Sequence, residues 1–287
     1  MGFISINWLG VELLPLMQVN QSQSQTQPQR QLLLLFVAYH PSSLEVQHLQ
    51  RCLQALPSRI GYAVVVNDYC AGEPVDQLAM GADKFLVNFD NPGYGTAVNR
   101  LVADLDVIPP YLGILNTDLS WQPGTFARLL SWMQNHPEVS LSVPQILNEI
   151  GKVQKLCKHH PTVLGLFSRR FLPEWIKPIW LKRYDRWYVM SDYNYQEVFE
   201  VQYLSGCCML IRSNAFISIK GFDEQYFLYL EDADISRSLA SEGCCVHLPI
   251  SSVVHSWGRG NYRNLRLLLV NLNSALRYFN KWGWKLW

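Results

Sequence analysis

The fold is decided by residues 32–68, which read LLLLFVAYHPSSLEVQHLQRCLQALPSRIGYAVVVND. The run LLLLFVA is apolar and of the length of a buried strand, and apolar residues then recur at helical spacing from Leu44 to Leu56. A β-branched run follows at Tyr62–Asp68. Strand, helix and strand in this order form the unit from which parallel sheets are built. The stretch therefore predicts an α/β protein.

The same alternation continues along the chain. Further strands are predicted at 84–89, 111–119, 139–147 and 206–211, and further helices at 96–105 and 125–136. Thr125 and Ser213 are predicted helix caps, and Gly221 and Gly243 are predicted helix ends. The pattern predicts an open, mostly parallel sheet flanked by helices. Ligands of such sheets bind at the carboxyl ends of the strands, where Tyr39, Asp68, Asn91 and Asp118 are expected.

Composition limits the class of protein. The 287 residues suffice for one large or two small domains, and a net charge of +1 argues against a general nucleic-acid binder. The first residues lack the basic start and small-residue cleavage site of a secretory signal, and no stretch is apolar enough to span a membrane. The seven cysteines are interpreted as free thiols in a reducing compartment. We therefore expect a cytoplasmic protein.

Four regions are predicted along the chain. Residues 18–31, QVNQSQSQTQPQRQ, are polar and of low complexity, so residues 1–31 are expected to be a flexible segment with a Gln-rich linker. A folded domain, large enough to be catalytic, is expected over 32–255. Within it, residues 151–201 lose the alternation and are expected to form an irregular insertion. Residues 256–287 are expected to be a basic amphipathic tail.

The glycine-rich stretch DNPGYGTAVNR, residues 90–100, precedes a predicted helix. It lacks the third glycine of a dinucleotide fingerprint and the Gly-Lys-Ser/Thr of a phosphate loop. Two interpretations stay open. The stretch is either a simple turn or a place where the backbone approaches a ligand closely.

Two groups of acidic residues are candidates for chemistry. Asp118 follows an apolar strand in ILNTDLSW, either as a turn residue or as a ligand of a divalent cation, Mg²⁺ or Mn²⁺, that holds a diphosphate. Glu231, Asp232 and Asp234 crowd the start of a predicted helix. They either interact with the helix dipole or supply a general base. His255 is structural unless the fold brings it to Asp118.

Taken together, these motifs resemble the family 2 glycosyltransferases of the GT-A fold. The resemblance covers about Leu32 to the C-terminus and rests on NPGYGTAVN, ILNTDLSW, GCCMLIRSNAFISIKGFDEQYFLYLEDADISR, VVHSWGRGNYR and RYFNKWGW. The middle stretch GKVQKLCKHHPTVLGLFSRR and the terminal YFNKWGW look most like the rhamnosyltransferase-type branch, which builds bacterial surface polysaccharides.

The resemblance implies a role for each candidate residue. Asp232 would be the catalytic base, with Glu231 tuning it or holding the acceptor. Asp118 stands in the metal-binding Asp-x-Asp position, and His255 would close the site near the diphosphate. The nucleotide-sugar pocket would be formed by Tyr39, Asn67, Asp68, Asn91, Gly93, Gly95, Asn99 and Asn116.

The implied activity is inverting, metal-dependent transfer of rhamnose or another hexose. The donor would be a dTDP- or UDP-sugar, and the acceptor a glycan or lipid-linked sugar. An alternative is an inactive GT-A subunit that binds a partner glycosyltransferase or a membrane. A nucleotidyltransferase is disfavoured, because YHPSSLEVQ is not a basic glycine-rich loop.

Basic and aromatic residues near the C-terminus suggest a surface partner. Residues 158–188 hold seven Lys/Arg against two acids, and residues 243–287 hold six Lys/Arg and no acid. Leucines from Leu265 onward follow helical spacing. This helix either packs on the core or binds an anionic bilayer surface. The second interpretation predicts a peripheral location on the inner face of the cell membrane.

Overall fold

The computed structural model describes residues 29–256 and 265–287. The strands are β1 Leu32–Ala38, β2 Ile60–Val66, β3 Lys84–Val87, β4 Tyr111–Asn116, β5 Leu119–Trp121, β6 Val139–Leu147, β7 Phe199–Glu200, β8 Cys208–Arg212 and β9 Cys244–His255. The helices are α1 Ser43–Gln54, α2 Tyr94–Ala103, α3 Thr125–Asn135, α4 Val163–Phe171, α5 Ile179–Tyr188, α6 Ser213–Ser218, α7 Glu231–Leu239 and α8 Leu265–Trp282. A short 3-10 helix spans Pro74–Leu78. The predicted α/β class is confirmed.

The strands form a single path in the order β3-β2-β1-β4-β8-β6-β9-β5, and β7 adds to β9. Strands β1 to β4 pair in parallel, and so do β6 and β9. Strand β8 lies antiparallel between β4 and β6, while β5 and β7 lie antiparallel to β9. Most paired residues are therefore in parallel ladders, as predicted. The run LLLLFVA is wholly buried, as is typical of a central strand of a parallel sheet.

Two predicted caps are wrong. The cap of α3 is Gly124, which reverses the chain with φ of 82°, so Thr125 is the first helical residue. The cap of α6 is Arg212, and the Ser213 hydroxyl donates instead to the carbonyl of Pro109. The predicted stop at Gly221 agrees with its φ of 72° and its amide bond to the Phe216 carbonyl, 2.8 Å. Helix α7 ends at Leu239, four residues before Gly243.

Residues 151–201 are less irregular than predicted, because they contain α4 and α5. Asp185 of α5 joins the two helices by accepting from Ser168 of α4, and it also pairs with Lys177 at 2.6 Å. Residues 1–28 and 257–264 lie outside the described residues, so the predicted division into 1–31, 32–255 and 256–287 stays a prediction.

Two hydrophobic clusters frame the candidate site. The larger surrounds the sheet, and the smaller joins Tyr203, Tyr226, Leu230, Ala233, Tyr278 and Phe279. The smaller cluster places α8 against α7. The acidic start of α7 therefore lies where the sheet and this second cluster meet.

Candidate active site

The entry to α7 is a strained turn. Tyr229 and Leu230 both adopt left-handed backbone conformations, with φ of 70° and 64°. Non-glycine residues rarely occupy this region, at a cost of about 1–3 kcal/mol each. The turn places Glu231, Asp232 and Asp234 in the first helical turn, where the helix dipole favours negative charge. The three acids nevertheless meet three different environments.

Asp234 is a structural anchor. Its side chain is buried, and it accepts from the Trp282 indole at 2.7 Å and from Lys281 at 2.9 Å. Both partners belong to α8, so the pair fastens the C-terminal helix to α7. The Tyr226 hydroxyl donates to the same carboxylate at 3.4 Å. Asp234 is thereby committed to holding the fold together.

Asp232 is held in place but keeps an accessible carboxylate. Tyr203 donates its hydroxyl to Oδ1 at 3.1 Å, and the Gly206 amide donates to Oδ2 at 3.2 Å. The Ala233 amide also donates to Oδ1, at 3.0 Å. The residue is only half-buried. A carboxylate oriented by neutral donors and open on one side has the geometry required of a general base.

Glu231 is buried, and its Oε2 has no hydrogen-bond partner among the described residues. Burial is the main cause that raises the pKa of Glu231 well above its ordinary value, and the neighbouring Asp232 charge adds to it. The side chain therefore holds a proton more firmly than an exposed glutamate does. A buried polar atom left unbonded is rare and marks a place where a ligand can bind.

Asp118 and His255 lie next to each other, as they must if both contact a diphosphate. Strands β5 and β9 pair antiparallel, with Leu119 opposite His255, so His255 Nε2 lies 3.2 Å from Asp118 Oδ2. The Thr117 hydroxyl donates to Glu45 of α1. Beside these residues lies a cavity of about 210 Å³ that is lined in part by Ser42, Glu45, His48, Asp118, Glu149 and Ser256.

The chemistry of these two side chains fits a divalent cation. Asp118 Oδ1 and His255 Nδ1 are both buried and lack a hydrogen-bond partner among the described residues. A carboxylate oxygen and an imidazole nitrogen are ligands of Mn²⁺, and carboxylate oxygen suits Mg²⁺. Within residues 29–256 and 265–287, no group of three or more His, Cys, Asp or Glu side chains could hold a metal ion. Further ligands would have to come from a bound diphosphate or water.

Two consecutive residues, Gly206 and Cys207, link the end of β4 to the start of α7. The Cys207 carbonyl accepts from the Asn116 amide at 3.0 Å, and the Gly206 amide bonds Asp232. Burial raises the pKa of the Cys207 thiol to about 12, and the charges of both Asp118 and Asp232 act in the same direction. The charges of both carboxylates therefore raise the pKa of the same thiol.

Amide side chains form a network at the ends of β2 and β3. Buried Asn67 accepts from Asn88 at 2.9 Å and donates to the Gly93 carbonyl at 3.4 Å. Asn91 accepts from the Gly93 amide at 3.1 Å, closing the turn before α2. The network stiffens this edge of the sheet, so Asn67 and Asn91 lie together as the predicted pocket requires. Their contact with a nucleotide sugar stays a prediction.

Gly93, Gly95 and Asn99 fit α2 closely against the segment that leads to α7. A Cβ on Gly93 would lie 2.4 Å from the Phe227 carbonyl oxygen, and one on Gly95 would lie 2.7 Å from the Phe222 Cβ. The Asn99 amide donates to the Phe222 carbonyl at 2.9 Å. These contacts give the three residues a packing role, while their predicted role in lining a pocket stays a prediction.

Tyr39 and Asp68 lie at the outer edge of this region. Tyr39 is exposed beyond the end of β1 and contacts the His40 ring edge-on, at 4.6 Å between centroids. Asp68 lies 3.2 Å from His40 Nε2, and Glu73 lies 2.8 Å from His40 Nδ1. Hydrogen bonds that the His40 ring donates to the two carboxylates, to Asp68 first and then to Glu73, raise the pKa of His40.

Three residues at the site were missed by reasoning from the sequence. His40 directly follows Tyr39, and its place after a strand was a usable signal. Lys158, whose ammonium lies 4.1 Å from the centre of the Tyr203 ring, opens the basic stretch 158–188, but nothing local distinguishes it from the other lysines and arginines there. Tyr203 carries no sequence signal, since its importance comes only from bonding Asp232 across 29 positions.

Comparison with proteins of known activity identifies similar sequences. The chain is 33% identical over 181 residues to the N-acetylglucosaminyl-diphospho-decaprenol L-rhamnosyltransferase of Mycobacterium tuberculosis, covering 58% of this chain and 56% of that protein. A second match is Escherichia coli rhamnosyltransferase WbbL, 36% identical over 56 residues, covering 19% of this chain and 21% of that one. The chain thus spans little more than half the length of the mycobacterial relative. No protein-family model matches the chain.

Solved structures share the fold. GalNAc-T7 with UDP, GalNAc and Mn²⁺ superposes with a TM-score of 0.61 at 14% identity, covering 88% of this chain and 48% of that one. The Pyrobaculum calidifontis mannosyltransferase PcManGT with GDP-Man and Mn²⁺ gives 0.56 at 12% identity, covering 88% and 64%. Identities this low establish the fold alone. The superpositions show that the chain has the fold of the GT-A glycosyltransferases, and over 181 residues its sequence is similar to that of a rhamnosyltransferase.

Proposed function

We propose that the protein is an inverting glycosyltransferase that moves rhamnose or another hexose from a dTDP- or UDP-sugar to a hydroxyl of a glycan or lipid-linked acceptor. The single observation that carries this proposal is the bridge at Gly206–Cys207, which bonds Asp232 on one side and the end of β4 on the other. It supports a reaction centre between a donor-side carboxylate, Asp118, and an acceptor-side carboxylate, Asp232. The presence of both favours an enzyme over a non-catalytic subunit.

In the proposed reaction Asp232 accepts the proton of the acceptor hydroxyl. The hydroxyl oxygen forms a bond to the anomeric carbon, and the bond from that carbon to the diphosphate breaks on the opposite face. The products are an inverted glycoside and a nucleoside diphosphate. Tyr203 and Gly206 orient Asp232 for this transfer, which contributes about 10²–10⁴-fold.

Asp118 and His255 would hold a divalent cation, Mg²⁺ or Mn²⁺, on the donor side. When bound, such an ion offsets the negative charge that develops on the departing diphosphate. Asn116 and the network of Asn67 and Asn91 would position the donor. Tyr39 and Asp68, exposed at the edge, would meet the base and ribose.

The test is release of nucleoside diphosphate from a panel of dTDP- and UDP-sugars, with Mg²⁺, Mn²⁺ or EDTA. We expect Asp118→Ala and Asp232→Ala each to lower turnover about 10²–10⁴-fold, and EDTA to mimic Asp118→Ala. Asp223→Ala is the matched control, because this carboxylate pairs with Lys281 away from the proposed reaction centre. Full activity of Asp232→Ala with a folded protein would refute the assignment of the base.

The proposed peripheral site of action is the anionic surface of a membrane. In the described residues no helix is long and apolar enough to cross a bilayer. Helix α8 instead exposes one leucine stripe, at Leu265, Leu269, Leu272 and Leu276, on the side away from buried Tyr278. Exposed Trp175 and Trp180 lie in the basic segment 158–188. Apolar and basic surface together suit anionic lipid.

Flotation with vesicles tests the membrane surface. We expect the full chain to float with vesicles rich in anionic lipid and to be released by salt, because the attraction is partly electrostatic. The variant Leu269→Glu/Leu272→Glu should float less, whereas Leu44→Glu, an exposed leucine on α1, should float as the parent does. Absence of flotation of the parent, or equal flotation of all three, would contradict the assignment of this surface.

A further inference from the structure

His40 bridges two carboxylates at the outer edge of the proposed donor side. Its Nδ1 lies 2.8 Å from Glu73 Oε1, and its Nε2 lies 3.2 Å from Asp68 Oδ2. Both distances are within the range of a hydrogen bond. A neutral imidazole carries one N–H and can donate to only one of the two acids, whereas an imidazolium donates from both nitrogens. This arrangement, the His40 bridge, is therefore complete only when His40 is protonated.

The His40 bridge joins the turns that follow two neighbouring strands. Strands β1 and β2 pair in parallel with Ala38 opposite Val66, and His40 and Asp68 each come two residues later. Both adopt left-handed backbone conformations, with φ of 45° and 56°. His and Asp tolerate this region better than most residues, but it persists only where surrounding contacts impose it. The two side chains thus hold these turns against each other.

In the described residues, the charged groups that face the His40 ring are Asp68 and Glu73. Asp76, the next acid along the chain, accepts from the Gly72 amide at 2.8 Å instead. The second oxygen of half-buried Glu73, Oε2, is buried and has no hydrogen-bond partner among the described residues. Loss of the second ring proton would leave one of the two carboxylates facing a nitrogen lone pair, which weakens the bridge.

His40 also supports the exposed ring of Tyr39. The two rings meet edge-on at 4.6 Å between centroids, and Tyr39 is 57% exposed. The Asp68 side chain on the other side of His40 is 52% exposed. An open aromatic face can stack on a nucleobase, and an open carboxylate can accept from sugar hydroxyls. Both groups that would meet the nucleoside therefore contact one imidazole.

We propose that His40 is a positioning residue for the donor: as an imidazolium it holds Tyr39 and Asp68 in the arrangement that binds the nucleoside, and donor affinity falls when His40 loses its proton. The inference rests on the proposed function and deepens it. The His40 bridge is complete below about pH 6.5, the ordinary histidine value, and is lost as pH rises through the raised pKa of His40 in the folded protein.

The binding test measures the affinity of the full chain for UDP-glucose and dTDP-glucose by calorimetry, at about pH 6 and about pH 8.5. A free terminal phosphate titrates near pH 6, but the diphosphate of these probes is esterified at both ends and keeps its charge. The quantity compared is the ratio of parent affinity to His40→Asn affinity, in which the titration of other groups cancels. Asparagine tolerates the left-handed backbone but cannot be charged.

We expect the ratio to be about two- to fivefold at pH 6, the effect of an ion pair at an exposed position, and to approach one at the higher pH. His40→Arg keeps a permanent cation, so its affinity relative to His40→Asn should stay two- to fivefold at both pH values. His136→Asn is the matched control, because His136 ends α3 and its ring bonds the Trp132 carbonyl at 2.8 Å. Its affinity should equal that of the parent at both pH values.

The pH dependence separates this role from a merely structural one. A histidine that only supports the fold would give the same ratio at both pH values, and that result would overturn the inference while the proposed function stands. An affinity of His40→Arg equal to that of His40→Asn would also overturn it. A parent that binds neither probe would refute both the inference and the proposed function. If the ratio changes as expected but no sugar is transferred, the role of His40 stands and the proposed function fails.

Discussion

The sheet edge at the ends of β2 and β3 and the proposed reaction centre between Asp118 and Asp232 are built differently. At the sheet edge, polar side chains bond one another, as Asn67 does with Asn88 and Gly93. At the proposed reaction centre, buried polar atoms of Asp118, His255 and Glu231 stay unbonded in the described residues. A satisfied network stiffens a scaffold, whereas unbonded buried groups lower stability and are kept where a ligand completes them.

The seam between the two sides should be the most sensitive point. Gly93 has φ of 95° and ψ of 170°, and a Cβ there would strike the Phe227 carbonyl oxygen at 2.4 Å. Both the backbone and the contact oppose a side chain, so Gly93→Ala should lower the free energy of unfolding by about 4 kcal/mol. Urea denaturation measures the change.

The control for Gly93→Ala is Gly72→Ala. Gly72 has φ of 88°, and no atom of the described residues lies within 4 Å of the position that a Cβ would take. Only the backbone contribution remains there, so the loss should be about 1 kcal/mol. Equal losses at the two glycines would show that the close approach of Gly93 to Phe227 contributes nothing.

The anchor of α8 gives the next largest effect. Asp234→Ala removes the bonds to Trp282 and Lys281, one of them to a charged partner, and should lower the free energy of unfolding by about 3 kcal/mol. Asp223→Ala removes a more exposed partner of the same lysine and should cost less than about 1 kcal/mol. Thermal melting compares the two. A larger loss at Asp223 would contradict the anchor.

The last effect depends on pH. Because the pKa of Glu231 is raised in the folded protein, the folded state binds a proton more tightly than the unfolded chain. Stability contributed by the protonated form is therefore lost as pH rises above about 4.3, the ordinary glutamate value. The glutamine of Glu231→Gln stays neutral at every pH. The free energy of unfolding of this variant relative to the parent should therefore increase by about 1 kcal/mol per pH unit between about 4.3 and about 8, the pKa of Glu231 in the folded protein.

Chemical denaturation at about pH 5 and about pH 8 measures this difference between Glu231→Gln and the parent. Glu224→Gln is the control, since Glu224 bonds Asn99 at an exposed position. Equal changes with pH in the two variants would show that the burial of Glu231 has no effect. A constant difference for Glu231→Gln would show that Glu231 is ionised in the folded protein.

Much of the donor side could be predicted from the sequence. Strands such as LLLLFVA and VVVND can be recognised from a few consecutive apolar residues. The polar residues that follow them can therefore be assigned to strand ends. Caps were less predictable: Thr125 and Ser213 have capping side chains, yet Gly124 and Arg212 take the position. There the direction in which the chain leaves the sheet outweighed side-chain preference.

Local sequence was enough to establish the alternation of strands and helices, the choice of Asp118 and His255 as candidates, and the crowding of acids at the start of α7. What each acid does depends instead on packing between distant segments. Asp234 became an anchor because Lys281 and Trp282 return to it from almost fifty residues away, Asp232 was oriented by Tyr203, and Glu231 stayed unbonded among the described residues. Local periodicity carries no information on such distant contacts, which arise only when the chain packs.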